Sequence, residues 1–267
     1  NATRLDCLAQ NIFGVGHRLT QLERLSLVHL GTEDVGMTVI PPHVHTLELS
    51  CCVSPKQGWC HEFVFPTCLQ TLDLGIDKKL PIDLLLKPLT TCLPHLQTLK
   101  VNTVLLSPNS DFPNFQCWPN LTKLILKLDT VTMAHHILAS VPTTQWRGLS
   151  LVVEDDNPNR EGMFKGLKDA DWSHLKHLGM HYVDFVIHAN MLKQFHGLVE
   201  LFIEPASFNS PFWPRLMKVL NPNSHPKLQI IHIPSCSREA SVSEGELAWL
   251  LSWPNLIRFP GSHRHLS

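Results

Sequence analysis

Hydrophobic residues recur along this chain in one short pattern, LxxLxL, with other apolar residues standing in for leucine. LERLSL begins at Leu22, VHTLEL at Val44, LQTLDL at Leu69, LQTLKV at Leu96 and LTKLIL at Leu121. WRGLSL begins at Trp146, LKHLGM at Leu175, LVELFI at Leu198 and LQIIHI at Leu228, and a worn copy, LIRF, begins at Leu256. Subtracting successive starts gives intervals of 22, 25, 27, 25, 25, 29, 23, 30 and 28 residues. A period in this range that fills a chain predicts a solenoid of stacked units. Such an architecture offers a long repeated surface rather than one cleft.

The second and third apolar positions of each motif are two residues apart, which is strand spacing. Leu72 and Leu74, or Leu124 and Leu126, are predicted to point inward. Thr71, Asp73 and Gly75, or Lys123, Ile125 and Lys127, are predicted to point outward. The strands are expected near 22–27, 44–49, 69–74, 96–101, 121–126, 146–151, 175–180, 198–203, 228–233 and 256–259. One such strand cannot bury its apolar side alone; stacked beside its neighbours it makes a parallel sheet.

Several intervening stretches read as helix: Ile82–Leu89, which Pro88 should end or kink, Val131–Val141, Met163–Leu167, Ala189–Phe195 and Arg215–Leu220. Ser243–Trp253 opens with Ser243 and has Glu246 three residues on, a capping-box signature. Three residues before the motif stand large apolar residues: Leu19, Leu93, Trp118, Trp172, Phe195 and Trp253. Two before it stand Pro42, Pro94, Pro119, Pro226 and Pro254. Proline fixes φ and biases its predecessor toward extended backbone, which suits a loop entering a strand.

From about Leu19 to about Phe259 these residues resemble the leucine-rich repeat family. The family's next position, an Asn or Cys three residues beyond the last strand leucine, is matched only by Cys52 and Cys236, so a buried asparagine ladder is not expected. Irregular repeat length and the Pro-x-Leu lead-in look most like the ribonuclease-inhibitor-like group, and within it the repeat domain of F-box proteins. The resemblance implies a single α/β domain over 1–267: a horseshoe of about ten irregular repeats. Its parallel β-sheet would line the concave face and short helices and loops the convex one. It also implies a protein-binding role, in an F-box protein the substrate-recognition part of a ubiquitin ligase. A Skp-type adaptor would then be engaged through a segment outside this chain.

Composition narrows the alternatives. The chain has 267 residues, 22 basic and 23 acidic, and only 17% are charged. That balance argues against disorder and against a general nucleic-acid binder. No run of about 18 or more apolar residues occurs, so no membrane helix is expected. Extracellular members of the resembled family usually carry clustered cysteines at both ends. Here nothing follows Cys236 and only Cys7 stands near the start, which favours an intracellular setting. The rival readings are a structural subunit of a larger assembly and a secreted recognition domain glycosylated at Asn120.

Chemistry-bearing motifs are scarce. There is no GxSxG, P-loop, HExxH or GxGxxG after a strand, so no enzyme is expected. Asp155 and Asp156 precede Asn157-Pro158-Asn159 and read as a turn. Cys51, Cys52, Cys60, His61 and Cys68 could hold zinc, but their spacing matches no familiar zinc pattern. Small buried or loop thiols are the favoured reading, with a local disulfide second. No cofactor and no metal are expected. Of the 17 histidines, His177 and His181 are placed together on one outward strand face. The expected partner-binding positions are Glu48, Asp73, Lys100, Lys123, Lys127, His177, His181, Glu200, Phe202 and Glu204. Their signs run acidic, basic, then acidic again, and opposed charge patches steer a protein partner and set its register.

Overall fold

The computed structural model describes residues 4–8, 21–28, 38–50, 63–75, 80–81, 89–105, 115–140, 143–153, 162–165, 170–204, 212–232 and 243–256. They are α/β, with parallel strands and few helices. The chain divides into two compact units, Asn1–Asp129 and Thr130–Ser267.

The first unit contains β1 (Arg4–Leu8), β2 (Arg24–Val28), β3 (Thr38–Val39), β4 (Thr46–Ser50), β5 (Phe63–Val64), β6 (Thr71–Gly75), β7 (Leu80–Pro81), β8 (Thr98–Leu105) and β9 (Lys123–Leu128). Strands β1, β2, β4, β6, β8 and β9 lie side by side in that order, all parallel. The short β7 adds to β8, and β3 pairs with β5 in a separate two-stranded sheet. In β4, β6 and β9 buried and half-buried residues alternate strictly. Leu47, Leu49, Leu72, Leu74, Leu99, Val101 and Leu124 have no accessible surface.

The second unit runs α1 (Val131–Ser140), β10 (Gly148–Val153), β11 (His177–His181), α2 (Tyr182–His188), a 3-10 helix (Ala189–Gln194), β12 (Glu200–Glu204), α3 (Phe212–Val219), β13 (Ile230–His232) and α4 (Glu244–Leu251). Its strands are parallel in the order β10, β11, β12, β13.

The entry into a strand is built in the same way in both units. The first apolar residue of the motif closes a tight turn. Its N–H is bonded to the carbonyl three residues back: Leu96 to Leu93, Leu121 to Trp118, Leu175 to Trp172, Leu198 to Phe195, Leu228 to His225. The next two N–H groups then converge on one carbonyl of the preceding strand segment. Thr122 and Lys123 share Gln97, and Val199 and Glu200 share Lys176. The strands therefore begin two residues later than the motif, and its first leucine is a buried corner. Trp118, Trp172, Phe195 and Trp253 fill the corner from three residues upstream, each 5% exposed or less.

The structure corrects several local expectations. β1 was not anticipated, and α2 lies ahead of the helix expected over 189–195. YVDFVIH is rich in β-branched and aromatic residues, which are weak helix formers and favour strands. Residues 89–92, just after Pro88, are helical. Residues 163–165 form a turn, not a helix; Lys165 N bonds to Gly162 O at 3.1 Å. The capping box is present: Glu246 N donates to Ser243 Oγ, and Ser243 N donates to Glu246 Oε2 at 2.8 Å. Residues 82–88, 166–167 and 257–259 lie outside the described residues, as do Leu19, Cys51, Cys52, Cys60, His61, Asp155, Asp156 and Cys236.

Candidate interaction surfaces

In the first unit the parallel register lines outward residues up in rows. One row runs Arg24, Thr46, Thr71, Thr98, Lys123 across β2, β4, β6, β8 and β9. The next runs Ser26, Glu48, Asp73, Lys100, Ile125. Opposite charges fall side by side, and Lys100 Nζ donates to Asp73 Oδ2 at 2.6 Å. Their side chains are 47% and 23% exposed, so the pair is worth at most about 1 kcal/mol and acts mainly on the charge pattern. Lys123 and Lys127 flank Ile125 on β9, and all three are half-buried. Strand β9 thus presents positive charge around an apolar residue.

In the second unit the corresponding rows are shorter. Gly148, His177, Glu200 and Ile230 form one; Ser150, Gly179, Phe202 and His232 form another. His177 Nδ1 donates to Glu200 Oε2 at 2.8 Å, with both side chains 37% exposed. Phe202 stacks on His232, with ring centroids 5.0 Å apart and planes 16° apart. A Cβ on Gly179 would lie 2.6 Å from Ser150 Cβ, so the two strands meet closely there. Glu204 is half-buried at the end of β12, in register with His181.

His181 is the residue of this group whose placement must be corrected. It is 5% exposed and turns inward as the N-cap of α2, its Nδ1 accepting from Val183 N at 3.4 Å. A chain that leaves a strand directly into a helix must satisfy the first helical N–H groups. The imidazole does that here and is withdrawn from the outward face.

Buried polar groups that the motif pattern does not announce lie behind this sheet. Asp184 and His188 sit four apart on α2 and reach the turn at 162–165. Asp184 Oδ1 accepts from Met163 N at 2.9 Å, and His188 Nε2 accepts from Phe164 N at 3.3 Å. From α1, His135 Nε2 donates to Gly162 O at 2.9 Å. Carboxylate and imidazole thus both accept from backbone N–H groups of that turn. A second case is His225, which takes the corner position filled elsewhere by Trp118, Trp172 or Phe195. It is fully buried; its Nε2 donates to Leu192 O at 2.7 Å, and its Nδ1 meets Ser224 Oγ at 2.8 Å. Burial holds its pKa below the usual histidine value, against the opposing pull of the Leu192 and Asn221 carbonyls.

No protein-family model matches the chain, and no curated protein matches it. No group of three or more His, Cys, Asp or Glu side chains is placed to hold a metal ion among the described residues. Cys68, from the expected thiol cluster, is free and donates to Pro42 O at 3.1 Å. No described helix is long and apolar enough to cross a membrane.

Proposed function

We propose that the chain is a non-catalytic protein-interaction module of leucine-rich repeat type, in which stacked parallel strands line the concave face of a horseshoe and their outward side chains read a protein partner. The observation that carries this is the pair of in-register outward faces, one set with Lys100, Lys123 and Lys127, the other with Glu200, Phe202 and Glu204. Charged side chains in ordered rows around half-buried apolar residues suit recognition of a partner of complementary charge. The polar groups best placed for chemistry, Asp184 and His188, are bonded to backbone.

By resemblance to F-box repeat proteins, the narrower reading is a substrate-recognition domain in an intracellular ubiquitin ligase. Purification of the parent protein from its own cells, with mass spectrometry of what accompanies it, tests both levels. A Skp-type adaptor and a cullin among the partners support the narrower reading. A fixed set of other subunits replaces it with a scaffold role. Lys123→Glu and Phe202→Ala variants that keep every partner in full would sink the outward-face reading.

A further inference from the structure

Building on the interaction-module reading, we propose that the outward face of β4, β6, β8 and β9 binds a dipolar protein segment, whose basic side chain meets Glu48 and whose acidic side chain meets Lys123. The charges on this face are not equivalent. Asp73 and Lys100, in register on β6 and β8, bond to each other at 2.6 Å and largely cancel. Glu48 and Lys123 stand on either side of that pair. Among the described residues neither of their side chains has a hydrogen bond or an ion pair. Arg24, a diagonal step from Glu48 on β2, is exposed and makes no ion pair with it. The face therefore keeps an unanswered negative charge on β4 and an unanswered positive charge on β9.

Both charges stand where they cost stability in the free protein. Glu48 is half-buried, and its in-register neighbours are Ser26 and the carboxylate of Asp73. Like charges directly opposite on neighbouring strands are destabilising. Lys123 is half-buried too. Lys127 follows it on the same side of β9, and Lys100 lies diagonally across from it on β8. A partly desolvated charge without a counter-ion is unfavourable, and an opposite charge brought by a partner relieves it.

Position gives the site a direction. Glu48 and Lys123 are three strand steps apart, from β4 through β6 and β8 to β9, and one outward row out of step. With strands about 4.8 Å apart, their backbones are separated by about 16 Å. The order is negative, cancelled pair, positive. A segment with a cation at one end and an anion at the other can lie across these strands in one sense only. Ile125, half-buried between Lys123 and Lys127, supplies an apolar contact, since charges steer and orient a partner more than they hold it.

The test is selection of displayed random peptides on the full chain, followed by fluorescence anisotropy of the selected peptides against wild type, Glu48→Lys and Lys123→Glu. The selected peptides are expected to share a basic and an acidic residue at one spacing. Each variant should weaken binding about tenfold or more while leaving the melting temperature unchanged. Reversing the charge of the peptide's basic residue should restore binding to Glu48→Lys and not to Lys123→Glu. Reversing its acidic residue should do the opposite. Peptides whose affinity neither variant changes, or only one changes, overturn the proposal. So does rescue of either variant by either reversal, since net charge and not position is then what is read. Peptides that bind both variants as well as wild type and are lost in Phe202→Ala overturn this site but leave the interaction-module reading standing. No peptide enriched above the bare support overturns both.

Discussion

Gly162→Ala is the sharpest test of how the second unit is held together. A Cβ at this position would collide with His188 Nε2 and lie 2.7 and 2.8 Å from its Cδ2 and Cε1, where a carbon needs about 3.5 Å. The backbone of Gly162 is not left-handed, so alanine is otherwise compatible. The imidazole is 8% exposed and packs edge-on against Phe164, with centroids 5.5 Å apart at 83°. It has little room to retreat. Forced back, it releases the Phe164 N–H, a buried donor whose loss costs about 1–3 kcal/mol. Overpacking adds about 1–3 kcal/mol. The expected destabilisation is the sum, about 2–6 kcal/mol. His188→Ala removes the obstacle, so in its background Gly162→Ala should cost almost nothing. The four proteins are compared by guanidinium unfolding followed by tryptophan fluorescence; Trp172, 5.5 Å from Phe164, reports on this region. Single effects that add within about 0.5 kcal/mol would refute the contact.

Three further outcomes are expected. Leu124→Asp places an unpaired charge in a site with no accessible surface and should abolish the cooperative melt of the first unit, whereas Lys123→Glu on the same strand should leave it intact; similar melting curves for the two would overturn the inward and outward assignment. His225 has a pKa lowered by burial, so its unfolded form binds the proton first. Its contribution to stability is complete above about pH 6.5 and is lost as pH falls from there through its folded pKa. His225→Phe, which puts the residue of position 195 into the equivalent corner, should flatten that part of the stability profile in denaturant titrations at pH 7.5 and 5.5. Ser243→Ala removes the capping box of α4 and should cost about 0.5–2 kcal/mol, read from denaturant midpoints.

What was legible in advance follows from the range of the forces involved. Alternation along a strand is a local property, so the inward leucines and the outward Thr71, Asp73, Lys100 and Lys123 could be placed from spacing alone. The capping box of α4 was legible because all its partners lie within four residues. α2 was not, since its residues have weak helix propensity. Its polar anchors bond to backbone 21 and 24 residues away, at Met163 and Phe164. The Phe202–His232 stack needed the registry of β12 with β13, which comes from hydrogen bonds between segments.

The chain by itself determined where the strands that carry the repeated motif lie and which side of each holds the motif's leucines, because a period of two in hydrophobicity admits one way to bury them; β1, β3, β5 and β7 carry no such motif. The tertiary structure decided what its polar residues do. His177 and His181 have the same parity on the same strand, yet one faces Glu200 in solvent and the other is buried capping a helix. His225 enters a corner filled elsewhere by Leu93, Trp118, Trp172 or Phe195 because Leu192 O and Ser224 Oγ stand ready to satisfy it. A buried polar group is tolerated only where another segment supplies its hydrogen bond. That supply exists only once distant parts of the chain have packed together.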